Sequence, residues 1–269
     1  MGVVCSSCGR ARRRGGDMAE RDPLALVTGA GIRLGRAVSE LLAHHGFRVA
    51  LHYHRHREEA EALAALLNGR GAGAPLRGHG GRAACFAADL SEPSAMDPLV
   101  DTVEREMGPL EVLVLSAAIY PRDPLEGVQA ERFEETLRVN LVSPFLLARA
   151  AGMRMKARGR GSITALLDWS VDRPYADRIP YSIAKAGLRA GALGLARALA
   201  PEVRVNGVAL GAVLLPEGTS AELQERIRTA APLQRIGTPM DAADAVIYLV
   251  RAEFVTGTIL TVDGGRSVA

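Results

Sequence analysis

An alternation of short apolar runs with segments of helical periodicity begins at residue 24 and continues almost to the end of the chain. Apolar runs of about four to eight residues, bounded by turn residues, are typical of buried strands. Segments whose apolar residues recur every three or four positions are typical of helices that cover a sheet. The alternation predicts an α/β fold: a single doubly wound parallel sheet of about seven strands, with helices on both faces.

The predicted strands are Leu24–Thr28, Phe47–Leu51, Ala83–Ala87, Val112–Leu115, Ser162–Leu167, Val203–Val208 and Ile259–Val262. The predicted helices are Leu34–His45, Arg57–Leu67, Pro93–Met107, Ala130–Arg158 with a break near Pro144, Tyr181–Ala200, Ala221–Ala230 and Met240–Val250.

Residues 1–22 lack this periodicity, which predicts a disordered basic N-terminal tail before one domain at residues 23–269. The tail carries two of the three net positive charges, so the domain is nearly neutral and is not expected to bind nucleic acid. No apolar run is long enough to predict a membrane segment. The three cysteines, Cys5, Cys8 and Cys85, favour a reducing compartment, the cytoplasm, and Cys5 with Cys8 lacks the second pair of a metal site.

A glycine-rich segment, Thr28-Gly29-Ala30-Gly31-Ile32-Arg33-Leu34-Gly35, lies between the first strand and the first helix. Glycines at such a turn let the backbone approach a pyrophosphate, and the helix N-terminus attracts its negative charge. The position of this segment favours dinucleotide binding over a purely structural turn and indicates a sheet of the Rossmann type. Thr28, Gly29, Leu34 and Gly35 are therefore candidate cofactor ligands.

The end of the second strand carries cations where NAD enzymes usually carry an acid for the ribose. The residues there are His52, Tyr53, His54 and Arg55, and a guanidinium suits a 2′-phosphate, so the predicted cofactor is NADPH. A solvated basic turn is the alternative. A metal site is not expected, because strand alternation would point the histidines at 52, 54 and 56 to one side without a supporting carboxylate or cysteine cluster.

Two further groups have candidate roles in this frame. Asp89 and Leu90 follow the third strand, where they either meet the adenine or, in the case of Asp89, cap a turn. Tyr181 and Lys185 are four residues apart and share one helix face. An ammonium favours the phenolate, so Lys185 is expected to lower the pKa of Tyr181, the candidate general acid.

The chain resembles a short-chain dehydrogenase/reductase over residues 24–265. The resemblance is carried by Thr28–Gly35, Asp89-Leu90, Asn140, Tyr181 with Lys185, Arg204-Val205-Asn206 and Val262-Asp263-Gly264-Gly265. Within that superfamily it is similar to pteridine reductases, including dihydromonapterin reductases. Three features support this: Arg33 replaces the second motif glycine, the run at His52–Arg55 is similar, and Asp168 replaces the usual serine.

The resemblance implies roles for individual residues. Asp168, Tyr181, Lys185 and Asn140 are the implied catalytic set, with Lys185 anchoring the ribose and Asn140 kinking its helix and holding a water. Arg33 is implied to reach both cofactor phosphates and substrate, although a surface role is the alternative. Other implied cofactor contacts are Ser116, Ala117, Gly211 and Val213, and other implied substrate contacts are Tyr120, Asp168 and Tyr181.

Some positions depart from the family pattern. Leu115-Ser116-Ala117-Ala118 stands where most relatives have Asn-Asn-Ala-Gly, and Leu210-Gly211 stands where they have Pro-Gly. Tyr120 either stacks on the substrate or has a core or surface role, and Trp169 either lines the cleft or packs. The segment Leu214–Pro232 is expected to form a mobile lid on the substrate side.

The predicted function is NADPH-dependent reduction of a pteridine, in which Asp168 helps to protonate nitrogen because a carboxyl group carries a proton. One alternative is a carbonyl, quinone or 3-oxoacyl reductase on the same frame, and another is a non-catalytic NADP-binding regulatory protein. The expected partner is a small-molecule substrate. Gly187, Gly191 and Gly194 on one helix, together with the habit of the family, favour a homotetramer.

Overall fold

Seven parallel strands form one sheet in the computed structural model, which describes residues 22–69, 83–216 and 218–269. The strands are β1 (Leu24–Val27), β2 (Arg48–Tyr53), β3 (Ala83–Ala87), β4 (Leu110–Leu115), β5 (Gly161–Asp168), β6 (Val203–Leu210) and β7 (Ile259–Val262). Their order in the sheet is β3-β2-β1-β4-β5-β6-β7. The predicted doubly wound Rossmann-type sheet is confirmed, and its topological switch point lies between β1 and β4.

Helices cover both faces of the sheet. They are α1 (Arg33–His44), α2 (Arg57–Leu67), α3 (Met96–Met107), α4 (Ala130–Leu137), α5 (Ser143–Arg158), α6 (Ile179–Ala198), α7 (Ala221–Thr229) and α8 (Pro239–Arg251). The faces of α1, α2 and α8 pack into one apolar core, and those of α3, α5 and α6 pack into a second.

The first strand shows how the sequence divides between these two cores. Leu24 and Leu26 join the core under α3, α5 and α6, whereas Ala25 and Val27 join the core under α1, α2 and α8. Successive side chains of a strand point to opposite faces, so a strand that is apolar at every position must be covered on both. All four residues are fully buried, which fixes β1 in the middle of the sheet.

The long predicted helix Ala130–Arg158 is interrupted, and the interruption precedes Pro144. A π-helical turn occupies Arg138–Val142, and Pro144 lies in the first turn of α5. Proline has no N–H to donate back to the carbonyl of residue 140, so the regular hydrogen-bond ladder cannot pass through this point. The break therefore places Asn140 inside the irregular turn.

Several other element ends differ from prediction by a few residues. The helix predicted to begin at Tyr181 begins at Ile179, because Pro180 is tolerated in a first helical turn. Residues 1–21, with Cys5 and Cys8, lie outside the described residues, as do residues 70–82. In the described part of the chain, no helix is long and apolar enough to cross a membrane.

Candidate active site

The glycine-rich turn joins β1 to α1 at the switch point of the sheet. Gly29 has a φ of 64°, and a Cβ added there would lie 3.1 Å from the Cα of Ala117. A Cβ on Gly35 would collide with the carbonyl oxygen of Gly29. Only glycine allows this close approach of the turn to the loop after β4 and to its own backbone. No side chain caps the N-terminus of α1, and its first turn contains no acid.

Arg33 is the first residue of α1 and adopts a conformation that glycine usually provides. Its φ is 52°, in the left-handed region that side chains rarely adopt. The guanidinium is exposed and donates to the carbonyl oxygen of Leu214 at 3.5 Å. Arg33 thus reaches from the phosphate end of the cleft to the segment that follows β6.

The threonine that follows β1 holds the loop that follows β4. The Oγ1 atom of Thr28 accepts hydrogen bonds from the N–H groups of Ser116 and Ala117, at 2.9 and 3.0 Å. The side-chain amide of Asn140 accepts from the N–H of Ile119 and donates to its carbonyl oxygen, both at 2.9 Å. These contacts hold the Ser-Ala-Ala segment in place although the usual asparagines are missing from it.

His52 is buried beneath the glycine-rich turn rather than exposed at the phosphate end. The Gly29 N–H donates to Nδ1 of His52 at 3.2 Å, and Nε2 lies 3.1 Å from the carbonyl oxygen of Ala88. A carbonyl only accepts, so Nε2 carries the proton of a neutral ring. Burial lowers the pKa of His52 to about 4. His52 therefore fastens the turn to the loop after β3.

The remaining predicted phosphate ligands lie at the end of β2. Strand β2 ends at Tyr53, and His54, Arg55 and His56 are exposed beyond it. The expectation that alternation would point the three histidines to one side is therefore wrong, because the strand stops before the second of them. Arg55 forms no ion pair within 4.0 Å in the described part of the chain, although its charge helps to lower the pKa of Asp89. Its exposed guanidinium is therefore available to an anion.

The loop after β3 reaches the same end of the cleft. The N–H of Ser91 donates to Oδ1 of Asp89 at 2.8 Å, and this bond lowers the pKa of Asp89 below its ordinary value. The other oxygen of Asp89 lies 3.5 Å from Nε2 of His54. Leu90 is buried and its carbonyl oxygen accepts from the hydroxyl of Ser143 at 2.7 Å. Asp89 thus has the turn-capping role that the sequence left open.

Asp168 and Tyr181 meet at the carboxyl end of β5. Asp168 is the last residue of that strand and Tyr181 lies in the first turn of α6. The Tyr181 hydroxyl donates to Oδ2 of Asp168 at 3.1 Å. Oδ1 of Asp168 accepts from the N–H of Ser170 at 2.8 Å. The carboxylate and the phenol that the sequence predicted as catalytic partners are therefore in direct contact.

The electrostatics of this pair differ from expectation. Burial, and next the Asp168 carboxylate, raise the pKa of Tyr181 well above its ordinary value. The expected lowering by Lys185 is wrong, because Nζ lies 5.8 Å from the ring centroid and donates to the carbonyl oxygen of Leu166 at 2.8 Å. Burial lowers the pKa of Lys185 itself to about 8. Tyr181 thus carries its proton, which is directed to Asp168.

Aromatic and cationic groups surround the pair. Tyr120 packs edge-on against Tyr181, with ring centroids 4.7 Å apart, and is partly exposed. The guanidinium of Arg178 lies 4.2 Å from the centroid of the Tyr120 ring. Tyr175, which the sequence reasoning missed, donates to Oδ1 of Asp168 at 3.3 Å. The only available signal was its place in the segment that links Asp168 to Tyr181.

The segment after β6 carries the last of the predicted cofactor contacts. Gly211 donates to the carbonyl oxygen of Val262 at 2.9 Å, which ties this segment to the end of β7. Val213 is buried and Leu214 accepts the bond from Arg33. The predicted lid segment includes one residue, at position 217, that lies outside the described residues.

Comparison with known proteins assigns the chain to a family. The family model described as enoyl-(acyl carrier protein) reductase matches residues 29–267. The chain belongs to the short-chain dehydrogenase/reductase superfamily. This short-chain dehydrogenase/reductase is an oxidoreductase, and its superfamily uses a nicotinamide cofactor.

Similar proteins cover almost the whole chain. A Streptomyces violaceoruber protein named as a ketoacyl reductase of the granaticin polyketide synthase is 34% identical, over 90% of this chain and 95% of its own. Pteridine reductase 1 of Leishmania tarentolae is 33% identical, over 91% of this chain and 96% of its own. An NADPH-dependent aldehyde reductase of Arabidopsis thaliana chloroplasts is 33% identical, over 90% and 93%.

The cleft of this short-chain dehydrogenase/reductase fits a nicotinamide dinucleotide. The glycine cradle, which a Cβ would fill, and the uncapped start of α1 suit a pyrophosphate. The buried ammonium of Lys185 lies 5.8 Å from the centroid of the Tyr181 ring, where it would bind ribose hydroxyls. Among the described residues, no cluster of three or more metal-ligating side chains occurs.

Proposed function

We propose that the protein is an NADPH-dependent reductase of pteridines. The single observation that carries this proposal is the hydrogen bond from the Tyr181 hydroxyl to Oδ2 of Asp168, whose two oxygen atoms are 3.1 Å apart. The bound cofactor supplies a hydride. The chain's own task is then to orient the substrate and to deliver a proton to the atom beside the carbon that is reduced.

Asp168 favours reduction of a C=N bond over reduction of a carbonyl. A serine at this position donates a hydrogen bond to an oxygen but does not exchange its proton near neutral pH. A carboxyl group holds and releases a proton, and Tyr181 returns one through the existing hydrogen bond. The substrate nitrogen therefore takes its proton from the Asp168–Tyr181 pair.

The cofactor preference is proposed from charge at the end of β2. Arg55 is exposed there, and the segment from His52 to Arg57 contains no acid that would bind a ribose hydroxyl. A guanidinium binds a phosphate through paired hydrogen bonds. One of the similar proteins is named as an NADPH-dependent aldehyde reductase, which supports this preference.

The substrate side is proposed to be formed by Arg33 and Tyr120. Tyr120 presents a partly exposed ring next to Tyr181, and a flat heterocycle packs well against such a ring. The guanidinium of Arg33 lies against the segment after β6 and donates to polar ring edges. Together they would hold the substrate between the phosphate end and the proton donors.

A carbonyl reductase is the second candidate. The ketoacyl reductase and aldehyde reductase names among the similar proteins favour it, and the Tyr181 and Lys185 arrangement serves both reactions. A non-catalytic NADP-binding protein is less well supported, because the proton-donating groups Asp168 and Tyr181 are in hydrogen-bond contact.

The decisive experiment measures NADPH oxidation with dihydrobiopterin, dihydrofolate, a small quinone and a simple ketone. We expect the wild-type enzyme to reduce the pterins, and Asp168→Ser to lower pterin turnover by about a hundredfold. The matched control is Asp172→Ser, an exposed acid paired with Arg189 at 3.4 Å, which should retain activity. Unchanged pterin turnover in Asp168→Ser, or wild-type activity with carbonyls alone, would contradict the proposal.

We also propose that the protein acts as a homotetramer on a small-molecule substrate. Apolar side chains are exposed along α5 and α6, including Phe145, Met153 and Ile183. Phe145 packs over Gly191, where an added Cβ would lie 3.2 Å from its ring, so the two helices form one continuous surface. Such a surface is suited to pairing with its own copy across a twofold axis.

A further inference from the structure

A chain of hydrogen bonds runs from the only tryptophan of the protein to the site. The indole N–H of Trp169 donates to the Tyr175 hydroxyl at 2.8 Å, and that hydroxyl donates to Oδ1 of Asp168 at 3.3 Å. The other carboxylate oxygen receives the Tyr181 hydroxyl. Asp168 is thus held between two phenols, one on each oxygen.

The direction of this chain is fixed by the chemistry of its members. An indole N–H only donates, so Trp169 occupies an acceptor position on the oxygen of Tyr175. The single proton of that hydroxyl is then directed to Asp168. Burial, and next the Asp168 charge, raise the pKa of Tyr175 far above its ordinary value, so the hydroxyl remains a donor.

The carboxylate orientation follows from these donors. Oδ1 of Asp168 receives two of them, the Tyr175 hydroxyl and the N–H of Ser170. The remaining oxygen is therefore turned toward Tyr181. If Oδ1 lost one of these donors, the carboxylate would rotate more freely about χ2, the last torsion angle of the side chain. The distribution of this angle is broad for aspartate.

The Tyr175 hydroxyl also interacts with the Tyr120 hydroxyl, and this contact raises the pKa of Tyr175 and lowers that of Tyr120. The ring of Tyr175 packs edge-on against Trp169 and Tyr120, with centroids 6.2 and 6.0 Å apart. Its backbone N–H donates to the Ser182 hydroxyl at 3.2 Å. Replacement by phenylalanine keeps the ring and backbone contacts and removes the hydroxyl, with its bonds to Trp169 and Asp168 and its interaction with Tyr120.

We propose that Tyr175 is a positioning residue that fixes the Asp168 carboxylate for proton delivery. This inference rests on the proposed function of Asp168 and adds a residue that the family motifs do not include. Tyr175 acts through Asp168, and Trp169 in turn sets the direction of the Tyr175 proton. The effect belongs to the catalytic step, so cofactor binding should be independent of it.

The first test compares Tyr175→Phe with wild type, using the pterin and carbonyl substrates named above. We expect kcat for pterin reduction to fall by about tenfold, the effect of losing one donor to a charged group, while the Kd for NADPH stays within about twofold. Tyr248→Phe, an exposed tyrosine on α8, is the matched control and should change neither value. An unchanged kcat in Tyr175→Phe would overturn the inference.

The second test separates a positioning role from a purely structural one. In the Asp168→Ser background, Tyr175→Phe should change residual turnover by less than about twofold, because the carboxylate on which it acts is gone. An equal loss in both backgrounds would show a structural role and overturn the inference. If Asp168→Ser alone leaves pterin turnover unchanged, the proposed function fails whatever Tyr175→Phe does.

A spectroscopic readout does not depend on turnover. Trp169 is the only tryptophan, so the intrinsic fluorescence of the protein reports on its indole. We expect Tyr175→Phe to shift the emission maximum, because the indole N–H loses its acceptor, and Tyr248→Phe to leave it unchanged. An identical spectrum for Tyr175→Phe and wild type would mean that the Trp169 contact is absent in solution, which also overturns the inference.

Discussion

The neutral ring of His52 makes the nucleotide cleft sensitive to acid. Burial lowers its pKa from 6.5 to about 4, so between these values the unfolded chain binds more protons than the folded chain. The stabilisation is complete above pH 6.5 and is lost as the pH falls toward 4. We expect the free energy of unfolding to decrease by about 3 kcal/mol over this interval.

Denaturant unfolding at a series of pH values measures this loss. His52→Gln keeps an acceptor and a donor in the ring's place but does not titrate, so its stability should change much less over the same interval. His44→Gln removes an exposed histidine at the end of α1 and should retain the wild-type dependence. An equally steep dependence in His52→Gln would show that other groups cause it.

Arg55 should determine the choice between the two dinucleotides. Asp at this position repels a 2′-phosphate and can bind a ribose hydroxyl, so Arg55→Asp should raise the Kd for NADPH by about tenfold or more and that for NADH much less. Arg57→Asp is the matched control, since Arg57 already pairs with Glu61 at 2.7 Å. Fluorescence titration of both dinucleotides is the measurement, and equal losses for both would contradict the assignment.

Single residues differ in how far their roles follow from sequence. The spacing of Tyr181 and Lys185 and the replacement of serine by Asp168 identify the reacting end directly. The burial of His52 does not follow, because the end of β2 at Tyr53 is set by pairing with β3 and not by a local pattern. Tyr175 was missed for the same reason: a turn between β5 and α6 brings it back to Asp168.

The π-helical turn makes Asn140 the link between two elements. Its side chain is fully buried and bonds both backbone groups of Ile119. Asn140→Ala leaves these partly buried groups unsatisfied, so we expect a loss of about 2–4 kcal/mol in the free energy of unfolding. Asn68→Ala is a matched control, because Asn68 bonds both backbone groups of Ala83 in an exposed position.

The control should cost less than about 1 kcal/mol, since water replaces the lost bonds at an exposed site. Equal losses in the two variants, measured by denaturant unfolding, would mean that the Ile119 groups find other partners.

Among the helices and strands, the sequence predicted a break in the long helix but not the form of that break. Proline at position 144 signals an interruption of the helical hydrogen bonds. The extra residue in the π-helical turn depends on packing against α6, which a local sequence pattern does not encode.

We propose that copies of the whole molecule associate through the surface formed by α5 and α6. A charge in the middle of that surface would be buried without a partner, so Phe145→Glu should reduce the oligomer to smaller species. Leu66→Glu changes a similarly exposed residue on α2 and should retain the wild-type mass. Sedimentation velocity at micromolar concentration is the measurement, and a monomeric wild-type protein would contradict the proposal.

The overall architecture could be predicted from the sequence more completely than the individual contacts. Apolar runs separated by helical segments leave few arrangements other than a parallel sheet covered on both faces. Contacts between loops distant in sequence were not predictable, and the bond that the Ser116 N–H donates to the Thr28 hydroxyl oxygen is an example. Such contacts depend on the final distance between strand ends, which no local periodicity encodes.

The bonds of Thr28, His52 and Asn140 have a consequence for the energetics of cofactor association. They join the loops after β1, β3 and β4 through contacts within the chain itself. The conformational entropy of these loops is therefore lost during folding and is not subtracted from the binding free energy. Dinucleotide binding should resemble rigid docking into a preorganised groove, with a heat-capacity change limited to the surface that the ligand itself covers.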